Sequence, residues 1–223
     1  MRTLTVFVLL VFAVATAHAG LLGLPQVNPG QTVANVDDLL VVDRSGANPA
    51  GSIFANTGIQ NFNFTGSGIT TSGTAREVVF QEAGGTLDFL IQVNVTSGAL
   101  SEISQVNTGN FASFNTRIGT ISPITLLGLP PGTFLPNTVA RTAGGDTVIF
   151  NFLNPITQGE SATMVISTDA TLAIASNIGL IGAGGGTQTI AGFQPTNAPE
   201  PGTLLALGAG LIALGAKWRK RKA

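Results

Sequence analysis

The sequence predicts an all-β protein, an antiparallel β-sandwich followed by a short C-terminal transmembrane helix. Three observations carry that expectation. Charged residues make up 9% of the 223 residues, where soluble proteins average about 25%. Glycine is abundant, at 29 residues. Between the two ends, apolar residues recur at every second position in short runs separated by glycine pairs, and no window repeats at a helical period. A hydrophobic content of 44%, with 13 Phe, excludes a disordered chain.

The clearest strand is residues 86–96. Leu87, Phe89, Ile91, Val93 and Val95 alternate with Asp88, Leu90, Gln92, Asn94 and Thr96, which places one face in the core and the other mostly in water. Residues 76–82, with Val78, Val79 and Phe80, precede it across Gly84-Gly85 and complete a hairpin. Residues 146–153 put Val148, Phe150 and Phe152 on one face after the turn at Gly144-Gly145. Residues 161–168 and 171–175 follow, separated by Asp169-Ala170. Weaker strands are expected near 39–42, 52–55, 60–65, 103–106 and 116–121. Residues 123–136 hold four of the eleven prolines and read as a long crossover or loop. These elements suggest an Ig-like or jelly-roll-like sandwich over residues 20–190, with 191–198 loosening into a linker.

The ends differ in kind from this middle. Arg2, the apolar run from Leu4 to Ala15 and the small residues Ala17 and Ala19 fit a secretory signal peptide over residues 1–19, cleaved before Gly20. Near the other end, Pro199-Glu200-Pro201 is followed by an uncharged stretch, 202–216, and then by a basic tail over 217–223 with Lys217, Trp218, Arg219, Lys220, Arg221 and Lys222. The prolines keep their segment extended and open to a protease. The apolar stretch would form a helix of about 22 Å at 1.5 Å per residue, short of a hydrocarbon core of about 30 Å. Trp218 suits the membrane interface, and the cations hold the tail in the cytoplasm.

A Pro-Glu-Pro tripeptide, a short span and a terminal Arg/Lys cluster, in that order and behind a signal peptide, resemble the PEP-CTERM sorting signal. The resemblance covers residues 199–223; the same segment is also labelled the ice-binding protein C-terminal domain, a label for the tail. It implies recognition of Pro199-Glu200-Pro201 by an exosortase, an integral-membrane cysteine protease, and removal of the helix. The chain is then expected to cross the inner membrane, to be anchored there transiently, and to reach the cell surface or extracellular space. The phrases Gly85-Thr86-Leu87-Asp88-Phe89-Leu90-Ile91-Gln92-Val93, Phe150-Asn151-Phe152, and Gly159-Glu160-Ser161 with Val165 to Ala170 further resemble a β-rich type of PEP-CTERM substrate.

Charge and missing side chains narrow the chemistry. Residues 20–198 carry four arginines against ten carboxylates, a net of −6, which disfavours nucleic acid as a partner. The single His, His18, leaves with the signal peptide, and this stretch has no Cys, Lys or Tyr. Ser-His-Asp, Cys-His and Ser-Lys mechanisms and a His/Cys zinc site are therefore excluded within it. A carboxylate pair for glycoside hydrolysis would have to come from ten scattered acids, with few aromatics to form a sugar platform. Asp37, Asp38 and Asp43 are weak calcium candidates whose spacing matches no defined calcium loop. Asn63-Phe64-Thr65 and Asn94-Val95-Thr96 match the N-glycosylation acceptor but read as structural. No cofactor is expected. The first expectation for function is a non-enzymatic surface or extracellular matrix protein of the exopolysaccharide or biofilm layer. The alternative is a carbohydrate- or ice-binding module of the cell surface, whose sign would be a repeated Thr-x-Thr or aromatic array; Thr187-Gln188-Thr189 is a lone instance.

Overall fold

A computed structural model describes residues 24–34, 51–97, 102–121, 129 and 132–196. The strands among them are β1 (Thr32–Ala34), β2 (Gly51–Asn56), β3 (Gln60–Gly66), β4 (Ile69–Glu82), β5 (Leu87–Ser97), β6 (Ile103–Thr108), β7 (Thr116–Ile121), β8 (Thr138–Arg141), β9 (Val148–Ile156), β10 (Gly159–Glu160), β11 (Thr163–Thr168), β12 (Leu172–Gly182) and β13 (Thr187–Thr196). They form two antiparallel sheets, and the described residues contain no helix. The first sheet runs β2-β4-β5-β11-β7, with β3 also on β4 and β10 on β5; the second runs β1-β8-β9-β6-β12-β13.

One buried cluster draws side chains from both sheets. Ala75, Val79, Leu87, Phe89, Ile91, Val93, Val95, Met164 and Ile166 of the first sheet join Ile103, Val106, Val139, Val148, Phe150, Ile178 and Leu180 of the second. The predicted alternation in β5 is realised on this face, where Leu87, Phe89, Ile91, Val93 and Val95 are each fully buried. Phe89 meets Phe111 edge to face, with centroids 5.7 Å apart, and so fixes the 109–115 connection to the core.

The opposite face of β5 corrects the sequence reading. Asp88, Leu90 and Gln92 are buried as well, and Leu24 and Leu129 cover Leu90, packing with Val78, Phe80 and Val165 in a second, smaller cluster outside the first sheet. Part of the proline-rich connection therefore covers that face. Leu24 lies so close to β7 that a Cβ at Gly119 would collide with its side chain.

The β4–β5 hairpin turns where expected: Gly85 adopts φ +87°, and its N–H donates to the Glu82 carbonyl (2.8 Å). β4 is longer than the sequence suggested, and its two halves pair on one edge with β3 and β2 in turn. The C-terminal part also differs. The expected strand at 171–175 is the start of β12, residues 182–186 turn a hairpin, and β13 continues to Thr196, through most of the segment expected as linker. β13 is an edge strand, which is why it tolerates Pro195. The expected strand at 39–42, the signal peptide and the C-terminal helix lie outside the described residues.

Candidate functional site

Two clefts open on the outer face of the first sheet. The first, of about 280 Å³, is lined by Arg117 of β7, Ser167 of β11, Thr168, Asp169, Asn115, Thr86 and Gln26. Antiparallel register builds its floor. Ser167 sits opposite Asp88 on one side and Arg117 on the other, and Gln26 bridges to Arg117, so these side chains share one face at cross-strand spacing. Asp169 is fixed by Asn115, whose backbone N–H (3.0 Å) and side-chain amide (2.6 Å) donate to its two oxygens. The Thr86 hydroxyl is buried with no hydrogen-bond partner among the described residues.

The second cleft, of about 210 Å³, is lined by Ile59, Thr74, Arg76, Gln92, Asn94 and Glu160. Most of its polar side chains already have partners. Arg76 donates to Asn56 (3.1 Å), Asn94 donates to Glu160 (3.1 Å), and Gln92 donates to the Ser161 carbonyl (3.2 Å). Asn63 uses its backbone N–H on Gln188 (2.7 Å). Thr187 and Thr189 are exposed on β13 beside a groove of about 390 Å³.

The two other prominent polar groups are structural. Arg141 is buried and donates to the carbonyls of Gly145 (2.9 Å), Val27 (3.0 Å), Phe114 (3.0 Å) and Phe111. It ties β8 to the stretch before β1, to the β6–β7 connection and to the β8–β9 turn. Burial lowers its pKa, and the nearby Asp169 charge opposes that shift. Glu77 sits on the core face of β4, fully buried between Ala75 and Val79. The Phe193 N–H of the opposite sheet donates to its Oε2 (2.6 Å), while Oε1 has no partner among the described residues. Desolvation raises its pKa to about 8, against the lowering effect of that hydrogen bond. Gln60 completes the seam: its amide donates to the Ala191 carbonyl (2.6 Å), and the Ala191 N–H donates back (2.9 Å).

Sequence reasoning singled out no residue of the first cleft as a site, since Arg117, Asn115 and Asp169 converge only through strand register. The residues it did single out, Pro199, Glu200 and Pro201, the tail Lys217 to Lys222, the cleavage residues Ala17, Ala19 and Gly20, and Asp37, Asp38 and Asp43, lie outside the described residues. Among the described residues no group of three or more His, Cys, Asp or Glu could hold a metal, and no helix is long and apolar enough to cross a membrane.

Comparison with known proteins gives one decisive finding. Residues 197–222 match the family model described as PEP-CTERM protein-sorting motif. The chain carries a PEP-CTERM sorting signal. No curated protein and no solved structure matches the chain. A PEP-CTERM signal marks an extracellular protein that is secreted, anchored transiently in the membrane, and processed by an exosortase, itself a membrane protein.

Proposed function

We propose that this chain is a non-enzymatic protein of the bacterial surface or extracellular matrix, delivered by exosortase processing into the exopolysaccharide or biofilm layer. The PEP-CTERM motif at residues 197–222 is the observation that carries the reading. Pro199-Glu200-Pro201 is then the recognition segment, 202–216 the transient membrane helix, and Lys217 to Lys222 the cytoplasmic anchor. The signal peptide ends at Ala19, and the domain between the two signals is a β-sandwich, a reading supported by one core shared between two antiparallel sheets.

The side-chain inventory supports a non-enzymatic role. Glycoside hydrolysis needs two carboxylates across a cleft. Among the described residues each cleft is lined by one, Asp169 or Glu160, each held by an asparagine, and Glu77 is sealed in the interior. The alternative, a carbohydrate-binding module, is favoured by the polar Arg117 cleft. For ice binding, one Thr pair on β13 supplies no repeated array.

The test is fractionation of a producing strain with and without its sorting protease. The proposal expects the processed chain in the exopolysaccharide fraction of the first strain and the full chain in the membranes of the second. Recovery of the processed chain free in the medium, with none in the matrix, would overturn it.

A further inference from the structure

We infer that the Arg117 cleft is a binding site for an acidic saccharide, with a sugar carboxylate on Arg117 and sugar hydroxyls on the opposite wall. The inference rests on the carbohydrate-layer reading above and gives it a ligand class. Three arginines are described. Arg141 is buried and spends its donors on backbone carbonyls, and Arg76 is committed to Asn56. Arg117 is exposed, and among the described residues no hydrogen bond or ion pair engages its side chain. It stands on a floor that register holds rigid, directly opposite Ser167.

A guanidinium with its donors open is a fork for a planar carboxylate. The rest of the lining decides what else the ligand carries. The hydroxyl of Ser167, the amide of Gln26 and the carboxylate of Asp169 offer both donors and acceptors, which matches groups that both donate and accept, as sugar hydroxyls do. Asp169 is already oriented by two bonds from Asn115. Its charge disfavours a second carboxylate on that wall and favours a hydroxyl donor, which sets the direction of the sugar. A fully apolar ligand finds no aromatic wall among the lining residues.

The test is calorimetric titration of the full chain in mild detergent with tri-galacturonate and with its methyl ester, which keeps the hydroxyls and loses the charge. The free acid should bind at least about tenfold more tightly than the ester, as expected for hydrogen bonds to a charged group, and the difference should shrink as salt is raised. Arg117→Gln should remove that preference and leave ester binding within about threefold, while Arg117→Lys should restore part of it. Arg76→Gln should change neither. Because Arg117 is exposed, the urea midpoint of Arg117→Gln should match that of the parent chain, so lost binding is not lost folding. Equal binding of acid and ester, or an unchanged preference in Arg117→Gln, would overturn the carboxylate assignment and leave the carbohydrate reading standing. Binding of neither sugar would overturn the site itself, while the surface-layer reading stands or falls on the fractionation described above.

Discussion

Replacing Glu77 by Gln isolates one titrating group in the seam between the sheets. The parent carboxyl is fully buried, holds the Phe193 N–H and has a pKa raised to about 8 from an ordinary value of 4.5. The folded chain therefore binds this proton more tightly than the unfolded chain does. The associated stability is fully present below about pH 4.5 and is lost as the pH rises through about 8. At about 1.4 kcal/mol per unit of pKa difference, the loss across that window is on the order of 3–5 kcal/mol. The glutamine side chain keeps an oxygen for Phe193 and cannot ionise. Its NH₂ group occupies the place of Oε1, which has no partner among the described residues, so the variant should be less stable than the parent by about 1–2 kcal/mol at pH 5. By pH 9 the order should reverse. Urea unfolding followed by circular dichroism, for both proteins at several values between pH 5 and 9, gives the difference directly and cancels every other titrating group. Parallel stability curves for the two proteins would show that Glu77 does not change its protonation on unfolding in this pH range.

Three further outcomes follow from burial and hydrogen bonding. Phe89→Ala or Ile91→Ala should cost about 2–5 kcal/mol of unfolding free energy by urea titration, since both side chains are fully buried in the shared core. Gln92→Ala should cost about 1 kcal/mol, because Gln92 is buried and donates to the Ser161 carbonyl; an effect within error would show that this face is open to water after all. Arg141→Ala should cost roughly 3–5 kcal/mol by stranding the carbonyls of Val27, Gly145 and Phe114, and Arg141→Lys should recover little because one ammonium cannot reach several divergent acceptors. Thermal melts of the two variants rank them.

The strands with strong alternation were legible in the sequence because period two over several large apolar residues fits a half-buried strand and no helix. β5 and β9 are the examples. The first half of β4 was not, because its core face carries Thr71, Gly73 and Ala75, too small or polar to stand out. For the same reason Glu77 did not register as a core position. β13 was hidden by Gly192, which interrupts its apolar alternation, and by Pro195, which an edge strand accepts and a central one does not. The buried outer face of β5 was out of reach, because its cover comes from Leu24 and Leu129, distant in the chain. The Arg117 cleft has no local motif at all; its residues come from separate stretches of sequence brought together by register. The C-terminal signal was fully legible, because sorting reads a contiguous segment, and that segment is what the family comparison matches.

We propose that Pro199-Glu200-Pro201 is the segment at which the chain is recognised for sorting. Replacing all three by Ala leaves the apolar stretch and the basic tail intact, so export and membrane retention should survive. In a host carrying the sorting protease, mass spectrometry of the membrane fraction should then find the variant unprocessed, still bearing Trp218 and the residues that follow it, while the parent chain is released without them. Release of the variant with the same C-terminus as the parent would contradict the account.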